Sequence, residues 1–420
     1  MREMKDSGIE WIGEIPCDWK LERSQWHLEE VNTSNNPIQT NNVLSLTNKL
    51  GVVPYEEKGN QGNKSKENVY EYKLAYPNTI VANSMNILIG SVGLCDYFGC
   101  VSPVYYVFKA KKHNNIKFLN YVFQTVGFQR ELRKYANGIL EIRLRVSASD
   151  ILKRFIPFPN ENEQQRIAEF LDRACRKIDG LKADIQAQID TLEQYKRSVI
   201  TEAVTHGLNP SAPMKDSGIP WVGKIPAKWA VLPIYCVYGE RKRKNVFGTE
   251  QNLLSLSYGK VIRKDINTNG GLLPSNYNGY NIIEKNDIII RPTDLQNDRT
   301  SLRTGLVKEH GIITSAYIAL KPKNRVSSKF YHYLLHSYDV KKVFYNMGNG
   351  VRQGLNYGEF AKLMVYYPPL DEQQEIADYL DNKCAAIEQI IADKKSQIET
   401  LDGYKKSLIY EYVTGKKEVV

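Results

Sequence analysis

Two long stretches of the chain carry hydrophobic residues every three or four positions. From Ile167 the steps alternate 4,3,4,3, and from Ile376 the pattern returns in the same register. Such a heptad repeat predicts a long helix whose apolar seam requires a partner helix. The predicted seam positions are Ile167, Leu171, Ala174, Ile178, Leu181, Ile185, Gln188, Leu192, Tyr195 and Val199, then Ile376, Leu380, Lys383, Ile387, Ile390, Lys394, Gln397, Leu401, Tyr404 and Leu408. Because a whole domain separates the two helices, we expect them to pair in antiparallel orientation.

Shorter apolar runs, bounded by glycine and asparagine, predict strands in the remainder of each half. These runs are 79–81, 87–89 and 104–108 in the first half, and 287–290 and 312–320 in the second. The segments 118–135 and 330–344 have the spacing of short amphipathic helices. Each half therefore contains an α+β domain in addition to its long helix.

A frame of short motifs occurs twice, about 210 residues apart. The segment MKDSGI occupies 4–9 and 214–219, and Glu-Gln-Gln occupies 163–165 and 372–374, at the start of each helical stretch. Between these motifs the two halves share little identity. We predict an α+β fold with a pseudo-twofold internal repeat. Two α/β domains, 1–155 and 209–365, alternate with two long spacer helices, 156–208 and 366–420, which form an antiparallel coiled coil. A frame kept twice around divergent interiors indicates a reader of two sites and not one catalytic centre.

Positive charge is concentrated in the divergent domains. Of the net +10, residues 1–155 carry +4 and 209–365 carry +12, while the helical segments 156–208 and 366–420 carry −2 and −4. Basic domains favour a polyanionic partner, because neutralised phosphates release counterions. The alternative is charge that serves only solubility.

The cysteines and the apolar stretches indicate a cytoplasmic protein. Six cysteines show no CxxC pairing, and the first ten residues have no apolar core of a signal peptide. The most apolar stretch, 87–108, is interrupted by Asp96 and several glycines, so buried strands explain it better than a membrane span. We expect reduced thiols in the cytoplasm, and no membrane.

Motifs of catalysis are scarce. The chain has no GxxxxGK[ST] phosphate loop, and no Asn/Asp-Pro-Pro-aromatic motif of a base methyltransferase. Tyr367-Pro368-Pro369-Leu370 lacks the Asn or Asp and precedes a helix, where prolines are common. His332 and His336 have the spacing of a helical metal pair, but their aliphatic and aromatic neighbours favour packing. We therefore expect no catalytic, cofactor-binding or metal-binding residues in this chain.

The candidate DNA contacts are basic and amide side chains. Lys and Arg neutralise phosphates, and Arg, Asn and Gln make bidentate contacts to base edges. For the basic run 241–244 the alternative is a solvated loop. The candidates are Asn83, Ser84, Asn86, Arg143, Arg145, Arg241, Lys242, Arg243, Lys244, Arg291, Thr293, Gln296, Asn297, Arg299, Arg303, Arg352 and Gln353.

The frame resembles one known family. The paired MKDSGIxWxGxIPxxW openings, the EQQxIAxxLD helix starts and the heptad helices ending near VTxG are similar to the DNA-specificity subunit of type I restriction–modification enzymes. The resemblance implies two target-recognition domains that read the two halves of an asymmetric, bipartite target in double-stranded DNA. It also implies that the helices set the spacing and dock two methyltransferase subunits.

The same resemblance implies that the chemistry belongs to partner subunits. A restriction motor-nuclease subunit would join the complex, and methyl donor, ATP and Mg²⁺ would bind to the partners, so this chain would not be an enzyme. Two alternatives stay open: a stand-alone nucleic-acid-modifying enzyme, and a coiled-coil scaffold that binds only protein.

Overall fold

The computed structural model describes residues 2–47, 51–58, 68–111, 114–138, 144–266, 276–293, 295, 302–323, 325–347 and 354–419. The chain divides into two compact units. The first contains Met1–Ile185 and Lys395–Val420, and the second contains Gln186–Lys394. Each unit thus combines one α/β domain with part of both long helices. The boundaries at 155, 208 and 365 stay a prediction.

The first unit consists of twelve strands, three short helices and parts of the two long helices within the described residues. Its strands are β1 Met4–Asp6, β2 Glu14–Pro16, β3 Lys20–Arg23, β4 Leu28–Glu30, β5 Leu44–Thr47, β6 Gly51–Pro54, β7 Lys73–Ala75, β8 Thr79–Asn83, β9 Val92–Cys95, β10 Gly99–Val101, β11 Tyr105–Ala110 and β12 Phe155–Phe158. Its helices are α1 Ile116–Gln124, α2 Val126–Arg133 and α3 Ala148–Leu152, followed by α4 Glu161–His206, which continues into the second unit.

The second unit repeats this plan. Its strands are β13 Met214–Asp216, β14 Lys224–Pro226, β15 Ala230–Pro233, β16 Tyr238–Glu240, β17 Leu254–Ser257, β18 Lys260–Arg263, β19 Asn281–Ile283, β20 Ile288–Ile290, β21 Thr304–Leu306, β22 Gly311–Ile313, β23 Ile318–Pro322 and β24 Met364–Tyr367. Its helices are α5 Ser328–Val340 and α6 Tyr357–Phe360, followed by α7 Leu370–Val413, which continues into the first unit.

The two domains have the same topology. A four-stranded antiparallel sheet of order β4-β11-β8-β9 in the first corresponds to β16-β23-β20-β21 in the second. The pairs β1–β2, β3–β12, β5–β6 and β7–β10 correspond to β13–β14, β15–β24, β17–β18 and β19–β22. The predicted α+β class and internal repeat are confirmed.

The middle residues of the central strands β8 and β20 are apolar because both faces of these strands are covered. In β8, Ile80 and Ala82 pack into the core beneath the helices, while Val81 packs into a second core on the opposite face. In β20, Ile288 and Ile290 pack into the core beneath the helices, and Ile289 packs into a second core on the opposite face. Successive side chains of a strand point to opposite faces, so a strand between two cores shows no polar alternation.

Two of the predicted strands have a different structure. Residues 87–89 form a 3-10 turn that ends at Gly90 in the left-handed region (φ 89). Only Ile87 of that turn is fully buried, and Ile89 is exposed. Segment 312–320 is divided into β22 and β23, because residues 314–317 form a turn closed by Tyr317 N donating to Thr314 O over 3.2 Å.

The long helices α4 and α7 pair in antiparallel orientation in both units. In the first, Lys405 Nζ lies 2.6 Å from Asp179 Oδ2, and Lys182 pairs with Asp402. In the second, Lys394 Nζ donates to Gln188 Oε1 over 2.5 Å, and Lys196 pairs with Glu388. Partners rise along one helix as they fall along the other, so the expected antiparallel coiled coil is confirmed.

Alternate seam positions lie one residue later than the sequence pattern suggested. Leu181 and Ile390 are each 45% exposed, and the seam passes instead through Lys182 and Ile391. Residues Ile167, Leu171, Ile178, Ile376, Leu380 and Ile387 are buried, and Ile185, Leu192 and Leu401 are half-buried. The inward positions that replace the predicted ones include Cys175, Ile189, Lys196, Cys384, Ile398 and Lys405. Lysine is favourable there because its stem packs on the partner helix while its ammonium reaches a carboxylate.

Candidate nucleic-acid interface

The two repeated motifs meet in a joint between each domain and a long helix. Trp19 follows the first MKDSGI opening, and its indole Nε1 donates to Glu163 Oε2 over 2.9 Å. In the second unit, Trp229 Nε1 donates to Glu372 Oε2 over 3.1 Å. Both indole rings are fully buried. The two ends of each repeat, the tryptophan of the opening and the glutamate of the helix start, therefore contact each other in the folded chain.

A buried glutamine strengthens each joint. Gln164 accepts a hydrogen bond from the backbone N of Asn115 (3.0 Å) and donates to Pro159 O (2.9 Å). Gln373 makes the same bonds to Ser327 N and Pro368 O, each 2.9 Å long. Asn115 and Ser327 are the N-caps of α1 and α5. The glutamine thus fixes the first helix of the domain to the start of the long helix.

A Lys-Tyr-Asp contact recurs in both units, about two turns further along each long helix. Asp172 accepts from Lys117 Nζ (2.8 Å) and from Tyr121 Oη (2.7 Å). Asp381 accepts from Lys329 Nζ (2.6 Å) and from Tyr333 Oη (2.8 Å). Burial, reinforced by the aspartate, raises the pKa of both phenols well above their ordinary value, so each hydroxyl remains a donor.

The far end of each long helix closes on the opening of a domain. Gly415 adopts φ +71, and a Cβ at this position would overlap Pro16. Next to it, Lys416 Nζ donates to Ile12 O over 2.6 Å. Gly207 ends α4 with φ +73 against Trp229 and Pro226. Together, the tryptophan–glutamate, glutamine and Lys-Tyr-Asp contacts attach both domains to the long helices in equivalent ways, and we call this attachment the mount.

Each mounted domain displays one loop shaped by a buried asparagine. We define the anchored loops as residues 31–40 and 241–250. Asn245 donates from its backbone to Tyr280 O (3.0 Å), and its side chain donates to Glu250 O and accepts from Glu250 N, at 3.0 and 3.2 Å. Asn35 donates to Tyr72 O (2.8 Å), and its amide bonds to Thr40 O and Gln39 N. Both asparagines are buried.

The second anchored loop displays cations. Lys242, Arg243 and Lys244 are exposed, and their contacts are with Glu240 (2.9 Å), Glu284 (3.8 Å) and the carbonyl of Gly279 (2.9 Å). Solvated pairs of this kind are weak, so phosphate oxygens can displace them. Arg241 is different: its Nε and Nη2 bind the fully buried Asp287 at 2.5 and 2.9 Å. This buried pair gives Arg241 a structural role, and its assignment as a DNA contact stays a prediction.

The first anchored loop displays uncharged side chains at the same backbone positions. Val31 N donates to Val107 O as Arg241 N donates to Ala319 O, so the basic run corresponds to Val-Asn-Thr-Ser. Asn32, Thr33 and Ser34 are exposed. These residues were not among the predicted DNA contacts, because a polar loop without charged residues has no feature in the sequence that distinguishes it from any other surface loop. The one available signal was an asparagine at the same distance after β4 and β16.

The remaining candidates divide by exposure. Asn83 and Ser84 are buried, and Asn83 Oδ1 accepts from Met85 N in its own turn, so neither faces a ligand. Arg303 is 0% exposed and donates to Thr293 O over 2.5 Å, so its guanidinium is not accessible to DNA in this conformation. Asn86 and Arg145 are exposed, whereas Arg291 and Thr293 are half-buried. Arg143, Gln296, Asn297, Arg299, Arg352 and Gln353 lie outside the described residues.

His332 and His336 lie on α5, beside the long helices. Burial lowers the pKa of His332 to about 3 and that of His336 to about 4, so both are neutral. Among the residues that the structure describes, no cluster of three His, Cys, Asp or Glu side chains could hold a metal ion. The six cysteines are free thiols, of which Cys17 and Cys236 are exposed. In the same described part of the chain, no helix combines the length and apolarity that a bilayer span requires.

Comparison with known proteins agrees with this duplicated plan. The family model described as "Type I restriction modification DNA specificity domain" matches residues 27–191 and again 240–400. The chain belongs to this family. The two matches cover most of the chain, and each begins near β4 or β16 and extends into a long helix.

Individual members of the specificity-domain family are distant in sequence. The chain is 23% identical over 297 residues to the type I restriction enzyme MjaX specificity subunit of Methanocaldococcus jannaschii, over 69% of this chain and 66% of that protein. It is 23% identical over 268 residues to the type I restriction enzyme StySPI specificity subunit of Salmonella potsdam, over 62% of this chain and 57% of that protein. The alignments therefore span less than two thirds of either relative.

Two solved structures share the fold. One is a chain from a study of complex assembly and conformational transition of the type I R-M system, at 12% identity and TM-score 0.71, covering 96% of this chain and 99% of that one. The other is the HsdS subunit from Thermoanaerobacter tengcongensis, at 12% identity and TM-score 0.50, covering 96% and 98%. At such identity the likeness concerns the fold.

Proposed function

We propose that this chain is the DNA-recognition subunit of a type I restriction–modification enzyme, and that its two domains read different half-sites of one bipartite target. One observation carries the proposal: two domains of a specificity-domain family stand on equivalent mounts and display anchored loops with different side chains. Equivalent mounts favour the same placement on the ligand, and different loops favour different preferences. The cationic second loop fits the phosphate backbone.

The chemistry of the complex belongs, in this proposal, to partner subunits in the cytoplasm. Two methyltransferase subunits dock on the chain, and a motor-nuclease subunit joins them for restriction. Methyl donor, ATP and Mg²⁺ bind to those partners. The chain itself is non-catalytic in this proposal, which the match of both halves to a DNA-specificity domain supports.

Methylation mapping tests the proposal directly. The chain is expressed with its methyltransferase partner in a host without other adenine methylation, and modified adenines are mapped across the genome. We expect one bipartite motif with unequal halves. The purified chain alone should bind the motif without methylating or cleaving DNA.

Matched variants separate the proposal from its alternatives. Arg243→Ala should weaken binding, whereas Lys395→Ala, on an exposed position of α7, should not. Turnover by the chain alone would favour a stand-alone enzyme. Failure to bind DNA at any salt concentration, with the partner complex intact, would favour a protein-binding scaffold.

A further inference from the structure

An aromatic ring stands at the tip of the second anchored loop. Phe247 is 88% exposed and its neighbour Val246 is 61% exposed. Burial of apolar surface is favourable by about 25 cal/mol per Å², so two adjacent apolar side chains exposed to this extent would both gain free energy on contact with a ligand. The tip of the second anchored loop is therefore suited to bind an apolar surface.

The backbone holds the ring outward. Residues 245–248 form a turn in which Gly248 N donates to Asn245 O over 2.9 Å. Gly248 has φ +63, and a Cβ there would lie 3.0 Å from Asn278 Oδ1. Asn245 is fixed on both sides by its bonds to Tyr280 and Glu250. A turn closed in this way keeps Phe247 from folding back onto the domain, so the ring is organised before any partner arrives.

The charge around the ring selects the partner. Lys242, Arg243 and Lys244 precede the tip, and all three are exposed. Cations beside a protruding apolar ring match a surface on which phosphates border stacked bases. Apolar side chains inserted between base steps in this way unstack and kink a duplex.

We propose that Phe247 is a wedge that inserts into a base step of the DNA bound by the second domain. The inference rests on the proposed function and adds a specificity-determining residue to it. A step that unstacks easily would be preferred at this position, and pyrimidine–purine steps are the most readily opened. In the first anchored loop Pro37 occupies the position that corresponds to Phe247, and the next residue, Ile38, is exposed.

Salt dependence distinguishes a wedge from a phosphate contact. The duplex carries the mapped motif, and binding by the full chain is measured over a range of salt concentrations. Stacking on one base contributes about 1–3 kcal/mol, so Phe247→Ala should weaken affinity roughly 5- to 150-fold. The slope of log K against log[salt] should not change, because no charge is removed. Lys242→Ala should instead lower that slope by about one.

Two controls test the assignment to stacking. Phe247→Trp should restore the affinity that Phe247→Ala loses, because the larger ring still stacks. Tyr258 is equally exposed, at 86%, on the turn between β17 and β18, outside the second anchored loop. Tyr258→Ala should change affinity less than twofold.

Fluorescence of 2-aminopurine, placed in turn at each adenine of the half-site, reports unstacking. Binding of the wild-type chain should increase the fluorescence of 2-aminopurine at one position, and binding of Phe247→Ala should increase it at none. Equal affinity and equal fluorescence for wild type and Phe247→Ala would overturn the wedge while leaving DNA recognition intact. A Phe247→Ala chain that binds DNA normally but loses its methyltransferase partner would also overturn it, in favour of a protein contact. Absence of DNA binding by the wild type would instead overturn the proposed function.

Discussion

Arg241 and Asp287 form the ion pair from which the second anchored loop departs. The carboxylate is fully buried and also accepts from Glu284 N over 2.9 Å. Burial raises the pKa of Asp287, and the bond from Arg241 opposes that rise. A buried charge left without its partner is far more costly than a lost surface pair.

Arg241→Ala should therefore destabilise the second unit by about 3–5 kcal/mol, because Asp287 would remain buried and unpaired. Lys242→Ala, one residue later, removes a solvated pair and should change stability by about 0.5 kcal/mol or less. Urea unfolding, followed by tryptophan fluorescence, compares the two variants. Equal losses would mean that the buried pair has no special role.

His310 links the second anchored loop to the edge of β19. Its Nε2 lies 2.8 Å from Glu250 and its Nδ1 lies 2.8 Å from Glu284, which also faces Arg243. The hydrogen bond to Glu284 is the main cause that raises the pKa of His310 above 6.5. A histidine whose pKa is raised in the folded state stabilises fully below its unfolded pKa, and this contribution is lost as pH rises through the folded pKa.

Hydrogen exchange of the backbone amides in 245–250 should therefore be slower at pH 6 than at pH 8, after correction for the intrinsic rate. His310→Gln should remove the difference, because its amide does not titrate. The loop 31–40 has no such histidine and provides an internal control. A pH effect that persists in His310→Gln would assign it to another group.

Residue chemistry alone gave a mixed account of the interface. Lys242, Arg243 and Lys244 are exposed as a recognition loop requires, whereas Asn83, Ser84 and Arg303 have suitable side chains but lie inside. Arg303 is the clearest case, since an arginine that donates to backbone carbonyls inside the domain has the same letter in the sequence as one that reads a base. Burial depends on tertiary contacts that a local pattern does not contain.

The long helices show the same limit at the scale of an element. A 4,3 repeat identifies a helix and one of its two seam positions, and Leu171, Ile178, Leu380 and Ile387 lie inward. The next seam position can lie three or four residues after Ile178 or Ile387, and the apolar side chains of Leu181 and Ile390 favour a step of three. In the structure the step is four, and Lys182 at that position forms an ion pair with Asp402 on the partner helix.

Adjacent isoleucines test this seam. Ile391 is 9% exposed and Ile390 is 45% exposed. Ile391→Ala should cost about 2–4 kcal/mol through lost burial and a cavity. Ile390→Ala should change stability by about 0.5 kcal/mol or less, as at other surface positions. Thermal unfolding of the two variants decides which isoleucine lies in the seam. A larger loss of stability from Ile390→Ala than from Ile391→Ala would place Ile390 there.

The joint of tryptophan, glutamate and glutamine acts at the scale of the whole molecule. Trp19 and Glu163 lie outside the divergent part of the first domain, as Trp229 and Glu372 lie outside that of the second. The frame repeat in the sequence predicted two equivalent domains, and the shared topology confirms them. The contact between the two ends of the frame could not be predicted, because about 140 residues separate Trp19 from Glu163 in the chain.

Replacing residues 20–155 with the corresponding segment of a related chain should change one half-site of the methylated motif and leave the other unchanged. The donor must supply its own N-cap, lysine and tyrosine at 115, 117 and 121, because these residues bind α4. Methylation mapping gives the result. Changes in both half-sites would contradict independent reading.

Lengthening both helices together tests whether they act as a ruler. One heptad added after Ile185 and one after Lys394 fall where each helix passes from one unit to the other, and preserve the pairing. Seven residues add about 10 Å of helix, or about three base pairs of spacer. We expect a longer spacer in the mapped motif, or loss of methylation. An unchanged spacer with full activity would show that the helices only dock partners.

The asparagine anchors have a consequence for how such a protein can evolve. The bonds that shape the second loop join Asn245 to the backbone of Tyr280 and Glu250, not to the side chains that the loop displays. A codon change at Lys242, Arg243, Lys244, Val246 or Phe247, which leaves Asn245 in place, therefore alters the side chains that the domain presents to its ligand and keeps the bonds that fold the loop. Novel preferences can arise one substitution at a time, through intermediates that all remain folded, and selection acts on recognition without an opposing loss of stability.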